Sequence, residues 1–186
     1  MTIDELIQDA QRRMDKSIEA TRGELNGVRT GRASATLLDR IQADYYGQKT
    51  PLRQLATINV PEPRMLTIQP FDPNSLPAIE RAIQESDLGL NPSNDGKVIR
   101  LPIPQLTEER RKELVRYVRQ LAEDGRVAVR NVRRDVIHHL KELVDKGTVG
   151  ADEEHRAEDR VQKLTDEHTH AIDDLLKHKE AEILEV

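Results

Sequence analysis

Proline is confined to the middle of this chain of 186 residues. All nine prolines lie between Pro51 and Pro104, and neither residues 1–50 nor residues 105–186 contain one. A proline inside a helix removes a backbone hydrogen bond and costs about 3 kcal/mol. The two flanks can therefore form long helices, whereas the middle must fold differently. We interpret the middle as a second domain inserted into a helical one.

The apolar residues of both flanks recur at helical spacing. They form one stripe from residue 3 to 28 and two further stripes, over residues 114–143 and 161–183. Gly147 and Gly150 separate the last two stripes, and three acidic residues at 152–154 open the third helix. This pattern predicts an elongated three-helix bundle, whose second helix would run for ~38 residues and ~57 Å.

Three glycines, Gly23, Gly27 and Gly31, recur every fourth residue where the first flank ends. They allow close helix packing, or they end the helix near Gly31. Alternatively, another backbone, of protein or of RNA, approaches the chain there. The residues alone leave both interpretations open.

The middle of the chain changes to the alternating pattern of strands. Apolar residues alternate over 41–45, 56–60, 66–68 and 99–103, and one short helix fits residues 77–86. The predicted fold is therefore an α+β protein of two domains, with a bundle of residues 1–30 and 106–186 and an inserted β/α/β domain of residues 31–105. We expect a hinge at about residues 30–35 and 101–106, where Gly31 loosens one crossing and Pro102 and Pro104 stiffen the other.

Charge is segregated along the chain. The net charge of −5 by itself argues against a nucleic-acid partner. However, residues 110–134 carry nine basic and three acidic side chains, whereas residues 152–186 carry five basic and twelve acidic ones. The second predicted helix is therefore strongly basic and the third strongly acidic.

Seven basic residues of the second helix share a sector of about 100°, beside its apolar stripe. They are Lys112, Arg116, Arg119, Arg126, Arg130, Arg133 and Arg134. One interpretation is a solvated face, or a seam of salt bridges to the acidic third helix. The other is a track for phosphates, favoured by the six arginines because a guanidinium binds phosphate in a bidentate manner. With few aromatic side chains to stack on bases, such a track would grip the backbone of folded RNA.

The sequence offers little support for an enzyme or a metal site. Gly89 and Gly96-Lys97 are too widely spaced for a phosphate-binding loop, and no nucleophile elbow is present. The histidine pairs at 138/139 and 168/170 have the wrong helical spacing to clamp one ion. We expect no catalytic residue, no metal and no cofactor. The lack of cysteine, of a signal peptide and of an apolar run of about 20 residues predicts a cytoplasmic protein without a membrane partner.

Several short motifs, in one order and spacing, resemble those of ribosome recycling factors along nearly the whole chain. They include Val28-Arg29-Thr30-Gly31-Arg32-Ala33 and Val129-Arg130-Asn131-Val132-Arg133-Arg134-Asp135. Further matches lie at residues 13–16, 45–47, 51–56, 87–92, 106–112 and 161–166. The chain departs from the family's usual pattern at residues 136–139 and at Gly125, a helix-interior glycine that should cost about 1 kcal/mol.

The resemblance implies a three-helix bundle joined by a hinge to a smaller domain, together shaped somewhat like a tRNA. It implies a monomer that binds the large ribosomal subunit after termination and, with elongation factor G and GTP, separates the subunits. Arg133 and Arg130, with Arg29 and Arg32, would contact ribosomal RNA, and Thr30, Gly31 and Arg32 would form part of the hinge. Elongation factor G would meet the hinge and the small domain, and no DNA is expected as a partner.

Two other classes of function remain open from the residues alone. The acidic and basic helices could pair with another protein in a structural coiled-coil adaptor. A phosphodiester-processing enzyme is the second alternative. Sedimentation with purified large subunits would distinguish the adaptor, and a metal-dependent nuclease assay would test the enzyme.

Overall fold

The computed structural model describes residues 1–185. Five helices form in chain order: α1 (Ile3–Asn26), α2 (Leu52–Leu55), α3 (Leu76–Gln84), α4 (Glu108–Asp145) and α5 (Ala151–Leu184). Six strands lie between α1 and α4: β1 (Gln42–Tyr45), β2 (Gln48–Pro51), β3 (Ala56–Glu62), β4 (Met65–Pro70), β5 (Ser93–Asn94) and β6 (Ile99–Pro102). Short 3₁₀ turns occupy Ala35–Leu38 and Pro73–Ser75. The predicted α+β fold of two domains is confirmed.

The chain forms two units. The bundle unit contains Met1–Thr30 together with the chain from Glu108 onward, and the sheet unit contains Gly31–Thr107. Each has a hydrophobic core of its own. Among the described residues, no helix has the length and apolar character that crossing a bilayer requires.

Helix α1 begins with a reciprocal cap. The Thr2 hydroxyl accepts from the Glu5 amide at 3.2 Å, and the Glu5 carboxylate accepts from the Thr2 amide at 3.0 Å. The helix ends at Asn26 and does not extend to Gly31. A side chain at Gly23 would meet open space, so this glycine is not needed for close packing.

A glycine turn reverses the chain between α4 and α5. Gly147 has a φ of +73°, and its amide donates to the Val144 carbonyl at 2.9 Å. The Thr148 amide donates to the Leu143 carbonyl at 3.0 Å. These bonds satisfy the last carbonyls of α4 in a Schellman motif, which requires a left-handed residue after the helix. The acidic first turn of α5 follows at once.

Gly125 lies where α4 packs closely against both α1 and α5. It is buried in α4, and an added Cβ would overlap the Thr21 Oγ1 of α1 and lie 3.2 Å from Ile172 Cδ1 of α5. The glycine therefore lets both neighbouring helices approach α4. Its low helix propensity, which counted against it in the sequence, is offset by this packing.

The sheet unit is built on a four-stranded antiparallel sheet in the order β3-β4-β6-β5. Leu66 of β4 pairs with Leu101 of β6, and Ile68 pairs with Ile99. All four side chains are fully buried and share a core with α3. The alternation predicted these strands because one face of the sheet is covered. A hairpin of β1 and β2 completes the unit.

Candidate nucleic-acid interface

Two arginines of the basic row on α4 form ion pairs with α5. Arg119 Nε lies 2.8 Å from Glu180 Oε1, and Arg126 Nη2 lies 2.7 Å from Asp173 Oδ1. Arg126 is the more enclosed, with 21% of its side chain exposed against 63% for Arg119. At these positions the row is the seam of salt bridges that one reading of the sequence predicted.

Glu123 is the acidic residue inside the basic row, and it links two of the arginines. Its carboxylate oxygens accept from Arg130 Nη2 at 2.6 Å and from Arg126 Nη1 at 3.1 Å. These hydrogen bonds, the one from Arg130 first, lower the pKa of Glu123 below its ordinary value. Burial alone would lower the pKa of Arg126, but the hydrogen bonds to Asp173 and Glu123 outweigh it and raise that pKa. Both groups therefore stay charged at neutral pH.

Arg133 differs because its partner is uncharged. Its Nη1 donates to Gln162 Oε1 at 3.0 Å, and Gln162 Nε2 donates to Asp166 Oδ1 at 2.9 Å. No ion pair joins Arg133 to Asp166 or to another acidic residue in residues 1–185. Arg133 is half-buried and held in position, yet its charge is not neutralised.

The antiparallel register of α4 and α5 would place an acidic residue opposite Arg133. Arg119 and Arg126 are seven residues apart, as are their partners Glu180 and Asp173. One heptad further along α4 is Arg133, and one heptad back along α5 is Asp166. The ladder of ion pairs would continue there, but the Gln162 amide stands between the two groups.

The remaining basic candidates lie on the surface. Lys112 Nζ is 3.5 Å from Glu108 Oε1 on the same helix, and both side chains are exposed. Arg116 and Arg134 are exposed and make no hydrogen bond or ion pair with another residue that the structure describes. The same holds for Arg29, which follows α1, while Arg32 is exposed at the start of the sheet unit.

The acidic partners on α5 and the role of Gln162 were not identified from the sequence. A usable signal was present, since Asp166, Asp173 and Glu180 repeat every seven residues, as Arg119, Arg126 and Arg133 do. Two heptad series of opposite charge on adjacent antiparallel helices predict a ladder of pairs. Only the coordinates show which step of the ladder an amide occupies.

Two residues close to the candidate hinge are bonded to the turn between β3 and β4. The Ala33 amide donates to the Pro63 carbonyl at 2.7 Å, and the Ile103 amide donates to the Arg64 carbonyl at 2.8 Å. Both crossings are thus tied to the sheet unit at neighbouring residues. Pro102 lies within β6, opposite Met65, so it belongs to the sheet. This narrows the candidate hinge to Thr30, Gly31 and Arg32 on one crossing and to Pro104 and its successors on the other.

Gly31 is constrained in two ways. Its φ is +78°, a conformation that favours glycine, and an added Cβ would lie 2.9 Å from Leu106 Cγ. The two crossings therefore lie against each other at this glycine. Both the backbone conformation and this contact therefore favour glycine at position 31.

Metal ligands do not gather anywhere in the described part of the chain. No group of three or more histidine or carboxylate side chains there could hold an ion. His168 instead lies 2.7 Å from Asp15 across the α1–α5 interface, and His138 and His139 lie near Glu142 on α4.

The chain is similar to known proteins along its whole length. A sequence profile described as ribosome recycling factor matches residues 21–184. The ribosome-recycling factor of Rubrobacter xylanophilus is 57% identical over 180 residues, covering 97% of each chain. That of Geobacillus kaustophilus is 52% identical, covering 98% of each.

Two solved structures resemble the fold. A solution structure of a ribosome recycling factor matches with a TM-score of 0.75 and 45% identity, covering 100% of this chain and 99% of the other. The T. thermophilus ribosome recycling factor, in a structure with E. coli elongation factor G bound to the E. coli post-termination complex, matches with a TM-score of 0.64 and 50% identity, covering 99% of this chain and 100% of the other. On the strength of the matched profile and relatives, the chain belongs to the ribosome recycling factor family.

Proposed function

We propose that this chain binds the large ribosomal subunit after termination and, with elongation factor G, separates the subunits for reuse. The main structural support for this proposal is that Arg133 donates its hydrogen bond to Gln162, an uncharged side chain. A guanidinium that is held in position but not neutralised can form charge-assisted hydrogen bonds to phosphate at little cost. Arg133 is therefore the proposed centre of the contact with ribosomal RNA.

The other basic residues divide into two proposed roles. Arg130, whose carboxylate partner is shared with Arg126, and the exposed Lys112, Arg116 and Arg134 extend the RNA contact around Arg133. Arg29, which follows α1, and Arg32, at the start of the sheet unit, are proposed as further RNA contacts. Arg119 and Arg126 are engaged with α5, so their main role is to hold the two helices together.

Elongation factor G is the proposed protein partner, and it supplies the energy through GTP hydrolysis. The structural relative on the post-termination complex supports this partner by similarity. The sequence lacks a phosphate-binding loop, which agrees with a factor that is not itself an enzyme. We place its action in the cytoplasm, as a monomer.

The adaptor alternative is not favoured. It requires the basic and acidic helices to offer their charges to another protein. In this chain several of those charges pair within the bundle, as Arg119 does with Glu180 and Arg126 with Asp173.

The hinge is proposed to lie before Ala33 and after Ile103, because both residues are bonded to the sheet unit. Short segments at the ends of elements are the usual location of such joints. Spin labels on the two units would test this. A broad or shifting distance between the labels is expected on ribosome binding, and one narrow distance in both states would contradict the hinge.

Subunit splitting provides the direct test of the function. Post-termination ribosomes would be mixed with the chain, elongation factor G and GTP, and light scattering would report dissociation. We expect splitting only when all three are present, and less with Arg133→Ala. The control is Arg160→Ala, which removes an exposed arginine that pairs with Asp4 away from the row. Splitting without elongation factor G, or none with the complete mixture, would overturn the proposal.

A further inference from the structure

We propose that Gln162 is the positioning residue for Arg133, and that Asp166 fixes the Gln162 amide in the orientation this role requires. The chain of bonds runs from Arg133 Nη1 to Gln162 Oε1 and from Gln162 Nε2 to Asp166 Oδ1. The inference rests on the proposed function, because it takes Arg133 as a contact with ribosomal RNA.

The chemistry of the three side chains allows one orientation of the amide. A guanidinium only donates hydrogen bonds, an ionised carboxylate only accepts them, and an amide has one end of each kind. Turning the Gln162 amide over would set its NH₂ against Arg133 and its oxygen against Asp166. Asp166 therefore selects the orientation in which the amide oxygen faces Arg133.

The position of Gln162 keeps Arg133 available. Gln162 and Asp166 are four residues apart on α5 and so share a face. The heptad register of the ion pairs at Arg119 and Arg126 leads to Asp166 opposite Arg133. A direct ion pair there would have to be displaced by phosphate, whereas the amide accepts a hydrogen bond from Arg133 without contributing an opposite charge. The intervening glutamine orients the guanidinium and leaves its charge uncompensated.

The chain contains a matched control for this arrangement. Gln120 Nε2 donates to Asp124 Oδ1 on α4 at 2.9 Å, the same spacing and distance as the Gln162–Asp166 pair. Both pairs are exposed, but among the described residues no arginine donates to the Gln120 amide. A change at Gln120 therefore reproduces the loss of a helical amide–carboxylate pair without the effect on Arg133.

The first experiment measures the affinity for purified large ribosomal subunits. Gln162→Leu should bind roughly two- to tenfold more weakly, because a freed arginine must be ordered again on binding. Gln120→Leu should stay within about twofold of the parent. Gln162→Glu should bind more weakly than Gln162→Leu, since it brings a carboxylate to Arg133. Equal affinities for Gln162→Leu and Gln120→Leu would overturn the proposal.

The second experiment separates orientation from charge at Asp166. Asp166→Asn and Asp166→Leu both remove the negative charge, but only asparagine keeps an acceptor for the Gln162 amide. We expect Asp166→Asn to bind large subunits more tightly than Asp166→Leu, by roughly the factor lost in Gln162→Leu. Equal affinities of the two variants would remove the orienting role of Asp166.

A double-mutant cycle tests whether Gln162 acts through Arg133. In the Arg133→Ala background, Gln162→Leu should cause no further loss of affinity. A loss as large as in the parent would mean that Gln162 acts by another route, and would overturn the proposal. Failure of the proposed RNA contact looks different, because Arg133→Ala alone would then bind normally. Melting temperatures close to the parent's would establish that each variant is folded.

Discussion

The seam between α4 and α5 contains two kinds of arginine site within two heptads. At Arg119 and Arg126 each guanidinium meets a carboxylate of the opposite helix. At Arg133, the next step of the same register, the guanidinium meets an amide. A row of identical residues on one helix face therefore need not share one role. The chemistry of the facing residue decides whether a cation holds the fold together or remains available to a ligand.

The two interpretations of the basic row that the sequence left open now concern different residues. The salt-bridge seam accounts for Arg119 and Arg126, whereas the phosphate track remains the proposal for Arg133 and the exposed cations beside it. The two uses are compatible because the paired arginines fix the helix that presents the others.

The largest effect is expected from Arg133→Ala. Hydrogen bonds to charged groups contribute about 1.5–3 kcal/mol, so affinity for large subunits should fall roughly 10- to 150-fold. The melting temperature should stay within about 1–3 °C of the parent's, since Arg133 neutralises no carboxylate. Arg133→Lys should recover only part of the binding. Normal affinity with a lowered melting temperature would place Arg133 with the structural arginines.

Arg126→Ala should show the opposite behaviour. The change removes the arginine partner of Asp173 and one of the two arginine partners of Glu123. Most of the Arg126 side chain is buried at this site. We expect a loss of about 1–2 kcal/mol in the free energy of unfolding, seen in urea denaturation, with affinity for large subunits near the parent's. Arg119→Ala, at the more exposed pair, should lose no more than about 0.5 kcal/mol. Weak ribosome binding by a stable Arg126→Ala protein would contradict the structural role of Arg126.

The salt dependence of binding to large subunits should also distinguish Arg133 from Arg119. Each phosphate contact releases counterion, so log affinity should fall with log salt by roughly 0.7–0.9 per contact. Arg133→Ala should reduce this slope by slightly less than one, whereas Arg119→Ala should leave it unchanged. The measurement is large-subunit binding at several salt concentrations, and an affinity of the parent chain that does not change with salt would contradict the phosphate track.

The smallest effect is expected from Glu123→Gln, on the pH dependence of the free energy of unfolding. Because its pKa is lowered in the folded chain, Glu123 contributes stability that is fully present above its ordinary value of 4.5 and is lost as pH falls through the lowered folded value. Urea midpoints of the parent and Glu123→Gln should therefore differ most at neutral pH and converge in acid. A difference that stays constant with pH would mean that packing, not charge, explains the variant.

The sheet unit shows how far local pattern could predict the fold. Alternating apolar residues predicted β1, β3, β4 and β6, whose apolar positions are buried or half-buried except for the exposed Val60 of β3. The polar strand β2 and the four-residue α2 have no such periodicity and were not predicted. In the structure, β2 follows a tight hairpin turn at Tyr46 and Gly47, whose φ values are 50° and 82°.

In the bundle, Gly125 shows what local sequence pattern could not predict. Its effect on helix propensity is local and can be read from the sequence, where it counted as a departure from the family pattern. Its benefit comes from Thr21 and Ile172, which are more than forty residues away in either direction. A single sequence contains no record of such a contact.

The two domains, the three long helices and the family could all be predicted from the sequence. Proline position, helical periodicity and ordered motifs are local or linear properties, so they can be recognised without knowing which residues are in contact. The sequence did not predict which arginine meets a carboxylate and which meets the Gln162 amide. That outcome depends on the register between α4 and α5, which is set by core packing over the whole bundle and not by the residues next to each arginine.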